Sequence, residues 1–157
     1  MSALGHKINP RGFVMKLKIK KLNKDAQIPF YATPGSAGFD LSAIEQVEIG
    51  PGETRLVKTG LAVAVPEGYE LQVRPRSGTS LKTGLRVANA PGTVDSDYRG
   101  EVCVIMTNTG DQFYYINQGD RIAQGVICPV FQVEFEETDS LGDTSRGNGG
   151  FGSTGVN

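Results

Sequence analysis

An all-β fold is what this sequence predicts: two packed antiparallel sheets in a jelly roll, or a related Greek-key sandwich or barrel. Three observations lead there. Apolar and polar residues alternate with period two in several separate runs, turn-forming residues interrupt the chain at short intervals, and no stretch carries a long helical period.

The runs can be taken in order. Met15, Leu17 and Ile19 oppose Lys16, Lys18 and Lys20; Tyr69, Leu71 and Val73 oppose Glu70, Gln72 and Arg74. Val102, Val104 and Met106 repeat the pattern, as do Phe131, Val133 and Phe135 against Gln132, Glu134 and Glu136. In a strand successive side chains point to opposite faces, so each run predicts a strand with one face buried and one in water. Between them Gly50–Gly52, Pro66–Gly68, Ala90–Gly92, Thr109–Asp111 and Asn117–Asp120 supply the bends. One short helical turn is expected at Ser77–Thr83, where a polar start precedes Leu81 and Gly84 ends it.

Composition narrows the classes of function. The 157 residues suit one domain able to bury its own core, and 16 Lys and Arg against 17 Asp and Glu leave no long-range field to draw nucleic acid or an anionic membrane. An anionic ligand must be caught locally. The apolar stretches LAVAV at 61–65 and VCVIM at 102–106 are far shorter than the ~20 residues that span a bilayer. The start of the chain has basic residues but no continuous apolar segment, so no secretory signal is read and a cytoplasmic setting is expected. Cys103 and Cys128 form no CxxC pair, which fits strand thiols in a reducing compartment. Residues 1–14, including His6, read as an extension without periodicity, residues 15–141 as the domain, and residues 142–157 as a Gly-rich arm too polar to pack a core.

Five short segments have the residue types that chemistry needs. RPRSG at 74–78 ends a strand and sets Arg76, the Ser77 hydroxyl and the amides of Ser77 and Gly78 together, which suits a phosphate and equally suits an ordinary polar loop. ANAPGTVDSDYRG at 88–100 lies between two strands; its backbone groups can read the edge of a base, and one of its carboxylates can serve as a general base, whereas the bland alternative is a turn rich in Asp. AGFDL at 37–41 and GDRIAQ at 119–124 are unremarkable singly. RGNGGFGSTG at 146–155 combines Arg for phosphate, Phe for stacking and Gly for reach, the mix of a closing flap or of a random tail.

Taken together and in this order, the five segments resemble the ordered motifs of the trimeric dUTPases, over roughly Tyr31 to Gly155. The resemblance implies a jelly-roll homotrimer with a flexible C-terminal arm, hydrolysing dUTP to dUMP and pyrophosphate, and so limiting uracil in DNA and supplying dUMP for thymidylate synthesis. It implies roles residue by residue. Asp95 would activate the water that attacks the α-phosphorus in line. Arg76, Ser77, Gly78 and Gln124 would hold the phosphates, with Asp40 a supporting residue beside them. Asn89, Gly92, Thr93, Val94 and Cys103 would line the uracil pocket, and Tyr98 would pack on the deoxyribose and exclude a 2′-hydroxyl. Arg146 would reach the γ-phosphate, Phe151 would stack on uracil, and Gly152 and Ser153 would complete a lid that orders over nucleotide. Mg²⁺ is expected on the phosphates and water, without direct protein ligands. The nearest rival, a dCTP deaminase, needs a catalytic Glu where this chain has Ile105; a non-catalytic jelly-roll module would have no use for Asp95.

Overall fold

A computed structural model describes residues 15–155, and it is a β-structure with one short helix. The strands are β1 (Lys18–Lys21), β2 (Phe39–Ser42), β3 (Val47–Ile49), β4 (Thr54–Ala64), β5 (Tyr69–Arg74), β6 (Leu85–Val87), β7 (Gly92–Val94), β8 (Glu101–Asn108), β9 (Tyr114–Ile116) and β10 (Arg121–Pro129). The helix α1 (Ser77–Lys82) lies between β5 and β6, within the turn expected at Ser77–Thr83. One four-stranded sheet has the order β1-β4-β8-β6, the other β2-β10-β5-β7, and β3 and β9 form a two-stranded ribbon. Every pairing is antiparallel.

The alternation works as the period requires. Along β8 Val102, Val104, Met106 and Asn108 are buried and the residues between them are only partly covered. Leu71 and Val73 of β5 face them across the core, with Val57, Leu85, Ile116 and Ile122 in the same cluster. Truncating such a side chain to Ala costs ~2–5 kcal/mol, so the sheets are held face to face chiefly by these residues. The two buried polar side chains are satisfied. Asn108 donates to the carbonyls of Ile49 (2.9 Å) and Gln112 (2.7 Å) and accepts from the Gly110 amide, while the Thr59 hydroxyl donates to the Val102 carbonyl. At the β4 bulge Gly60 has φ +69°, and a Cβ there would stand 2.9 Å from that of Ala26, so only glycine fits.

Two expectations are corrected. The run at Phe131–Glu136 is not a strand here: Phe131, Val133 and Phe135 are 88%, 66% and 93% exposed. Alternation marks a chain suited to a sheet, but a strand exists only where a second backbone pairs with it, and this segment has none among the described residues. The first strand begins at Lys18 rather than Met15, because β4 meets it only from Lys18, opposite Ala64, to Lys21, opposite Leu61. Cys103 and Cys128 are free thiols on β8 and β10, as read. The extension at 1–14, with His6, lies outside the described residues. Among those residues no helix is long and apolar enough to cross a membrane.

Candidate functional site

Three neighbouring strands build the first part of the site. In β2, β10 and β5 the register sets Gln124 level with both Asp40 and Arg74, so the polar ends of AGFDL, GDRIAQ and RPRSG meet at one edge of the sheet. Just beyond β5, Arg76 donates from Nε to Asp40 Oδ1 at 2.7 Å, and from Nη1 to the Arg121 carbonyl at 3.3 Å. The other carboxylate oxygen of Asp40 accepts from Arg121 Nη1 at 3.3 Å. One carboxylate therefore carries two guanidinium groups, which leaves the cluster with a net positive charge. Arg76 is held through Nε and Nη1, and its remaining donors, those of Nη2 among them, are available to an anion.

Gln124 completes this corner. Its Nε2 donates to the Pro75 carbonyl at 2.8 Å, fixing the chain just before Arg76. A Cβ on Gly38 would run into Gln124 Oε1, so glycine in AGFDL is what leaves room for the amide. Arg76 precedes α1 and makes no side-chain cap, while Ser77 and Gly78 open the helix and are exposed. Two open cavities meet at Arg76, Ser77 and Gln124. One, of about 570 Å³, extends toward Gln72, Ala90 and Pro91; the other, of about 240 Å³, extends toward Gly38, Asp40 and Gly78.

The second part is the hairpin. β7 pairs with β5, Val73 facing Gly92, Gln72 facing Thr93 and Leu71 facing Val94. A Cβ on Gly92 would stand 3.3 Å from that of Val73 and 3.2 Å from Asn89 Nδ2, so the two strands lie close and Asn89 lies over the glycine. Asp95 follows at once and is exposed. Its carbonyl accepts from the Tyr98 amide at 3.2 Å, closing a turn, and Arg99 Nη1 donates to the carbonyls of Ser96 (2.7 Å) and Tyr98 (2.9 Å). Cys103 is on the outward side of β8, opposite Lys58 and in the other sheet from Gly92–Val94. Burial pushes its thiol pKa up, the Glu101 carboxylate adding to the effect, so it is a neutral group there.

The third part is the arm. Arg146 donates to the Gly149 carbonyl at 2.8 Å, Ser153 to that of Gly150 at 3.0 Å, and Phe151 stands fully in solvent with φ 51°. Among the described residues no hydrogen bond joins 142–155 to the sandwich.

Within one chain Asp95 stays apart from Arg76. Continuing the β5–β7 register puts Asp95 level with Glu70, whereas Arg76 lies six residues further along (70 to 76), roughly 20 Å at ~3.3 Å per residue. That is too far for one phosphate to be touched by both. Two residues that the structure brings into play carry no signal of it in the sequence: Arg121 and Gly38. Arg121 stands in GDRIAQ, but a register shift between Arg121 and Ala123 is what turns it to Asp40, and a bulge leaves no signal in sequence.

The profile of one protein family, dUTPase, matches residues 24–155. The deoxyuridine 5'-triphosphate nucleotidohydrolase of Nautilia profundicola is 57% identical over 141 residues, covering 90% of this chain and 99% of its own; that of Helicobacter pylori strain P12 is 54% identical over 142 residues, covering 90% and 98%. Among solved structures, the dUTPase of Staphylococcus bacteriophage 80alpha with dUpNHpp superposes with a TM-score of 0.84 at 31% identity, covering 90% of this chain and 99% of that one. A dUTPase of S. aureus phage phi11, in which a structural Mg(II) ion is coordinated, gives 0.76 at 27% identity, covering 81% and 99%.

Proposed function

Since the chain belongs to the dUTPase family, we infer that it is a dUTP diphosphatase, hydrolysing dUTP to dUMP and pyrophosphate. The observation that carries the chemistry is the cationic corner at Arg76, Asp40, Arg121 and Gln124, open to two cavities, in a chain with a solvent-facing carboxylate on a stapled turn. Arg76 and Gln124 bind phosphate oxygens, with the Ser77 hydroxyl and the Ser77 and Gly78 amides beside them. Asp95 takes a proton from the water attacking the α-phosphorus, and the arginines stabilise charge on the departing pyrophosphate.

Mg²⁺, when bound, neutralises part of the triphosphate's charge. Asp40, the carboxylate nearest the cradle, is already engaged by two arginines, which supports the phosphate oxygens and water as the donors to the ion at this corner.

The hairpin reads the base through the backbone of Gly92, Thr93 and Val94, with Asn89 over the glycine. Cytosine reverses donor and acceptor at one edge of the ring, leaving buried backbone groups unpaired, and sites of this kind discriminate by ~10⁴ to 10⁵. Thymine adds only a methyl, and its exclusion rests on the rigid β5–β7 pairing. Pyrophosphate release measured with dUTP, dCTP, dTTP and UTP is expected to be fast with dUTP alone. Ammonia released from dCTP would move the activity to a deaminase.

The roughly 20 Å between Asp95 and Arg76 along one chain supports a site assembled from several copies, and we read the assembly as a homotrimer. Further support comes from the uncovered segment at 131–135 and the free edge of β1. Gln132, Glu134 and Glu136 alternate with its apolar residues, while β1 presents Lys18, Lys20 and Lys21, so a neighbour's edge offers both backbone partners and opposite charge. Sedimentation should give three times the 16.8 kDa chain mass. The combined change Phe131→Ser, Val133→Ser and Phe135→Ser should yield smaller species with little turnover; a fully active trimer from that variant would count against this role for the segment. The two free thiols, Cys103 and Cys128, support a reducing, cytoplasmic setting.

A further inference from the structure

The tyrosine read as excluding a 2′-hydroxyl packs against the bare backbone of Gly100. An ideal Cβ on Gly100 would collide with the Tyr98 hydroxyl oxygen and stand 2.5 Å from Cζ and 3.0 Å from Cε2. The obstruction is the far end of the Tyr98 side chain, an aromatic ring that can give way only by moving as one unit. Gly100 is not among the residues with φ in the left-handed region, so the backbone itself would accept alanine. Its lack of a side chain serves space rather than conformation.

The surroundings decide what would give way. On one side, the Glu101 carboxylate accepts from the Gly60 amide at 2.8 Å and the Thr59 hydroxyl donates to the Val102 carbonyl, which ties the start of β8 to β4. On the other, Arg99 joins the Ser96 and Tyr98 carbonyls and the Tyr98 amide bonds to the Asp95 carbonyl. Backbone on both sides of Gly100 is therefore fastened. Tyr98 itself is 45% exposed, and its side chain is held by one bond, from its hydroxyl to the Glu101 carbonyl at 3.1 Å. The ring is the part free to swing.

From this we propose that Gly100 is a specificity-determining position: it gives the phenol ring of Tyr98 the place from which that ring closes on the sugar and rejects ribonucleotide. The inference rests on the reading of Tyr98 as the sugar wall. Alanine at 100 turns the ring outward, breaks its bond to Glu101 and opens the space that a 2′-hydroxyl would occupy.

The test compares kcat/KM for dUTP and UTP in the parent, Gly100→Ala, Tyr98→Ala and the double variant. Gly100→Ala should lower the dUTP:UTP ratio by about tenfold or more, the scale on which pockets sort ligands differing by a small group, with thermal melting and oligomer mass unchanged. Tyr98→Ala should lower the ratio similarly. The double variant should match Tyr98→Ala, since an added methyl has nothing to displace once the ring is gone. A ratio within twofold of the parent in Gly100→Ala, with a collapsed ratio in Tyr98→Ala, overturns the inference and leaves the Tyr98 reading standing. An unchanged ratio in Tyr98→Ala overturns both. Should Gly100→Ala prove insoluble, folding restored in the double variant supports the inference, and a double variant that also fails to fold overturns it.

Discussion

Asp95→Asn is expected to fold, assemble and bind dUTP like the parent while its kcat falls by ~10² to 10⁴, the usual worth of a positioned general base. The substitution keeps the shape of the side chain and removes its ability to take a proton. Little else depends on that carboxylate. It is exposed, and the turn it opens is closed by its carbonyl and by Arg99, neither of which the change touches. KM should therefore move little, which separates loss of water activation from loss of binding. Single-turnover measurements with saturating enzyme would isolate the chemical step from product release. A variant keeping more than a tenth of the parental rate would remove Asp95 from the mechanism and send the search for a base to Asp97, in the same turn.

How far the residues announce this architecture depends on how local each cause is. Strands β5 and β8 were legible because each has one face in the core and one outside, so the period of two is written into Leu71 and Val73 and into Val102, Val104 and Met106. β4 is less so: Leu61, Ala62 and Val63 are all buried, and a continuous apolar run reads as easily as any other buried element. At Phe131–Phe135 the period of two is present without a strand, since pairing depends on a second backbone that one chain does not supply. The site divides in the same way. Arg76, Gln124 and Asp95 stand in short segments whose residue types suggest their chemistry, and the register of β2, β10 and β5 then brings Asp40 and Gln124 level. Arg121 joins them through a bulge, and Gly38 and Gly100 matter through space they leave to side chains far in sequence or folded back on them. Causes of that kind act in three dimensions and leave no periodic trace.

Removing residues 142–157 is expected to lower kcat/KM for dUTP by about 10²-fold without altering the sandwich. The arm brings Arg146 and Phe151. A charge-assisted hydrogen bond to phosphate contributes ~1.5–3 kcal/mol and stacking on a base ~1–3 kcal/mol. Against this, ordering roughly ten residues costs on the order of 10 kcal/mol of backbone entropy. Arg146 and Phe151 by themselves do not offset that cost, so the remaining polar contacts of the segment and the water it excludes must contribute too. The net surplus is small, near 3 kcal/mol for a hundredfold effect. A balance this close makes closure conditional on the triphosphate: the arm should exchange its amide hydrogens freely in the empty enzyme and be protected with a non-hydrolysable analogue bound. Phe151 stands fully in solvent and the Arg146 side chain bonds to the Gly149 carbonyl, so closure has to replace both environments. The sandwich should not notice the loss, because no hydrogen bond among the described residues ties the arm to it. Melting temperature should stay within a degree or two of the parent, while KM rises and kcat falls together, since a lid acts on both binding and positioning. A truncated enzyme within threefold of the parental kcat/KM would show that dUTP is held and cleaved by the cradle and hairpin alone.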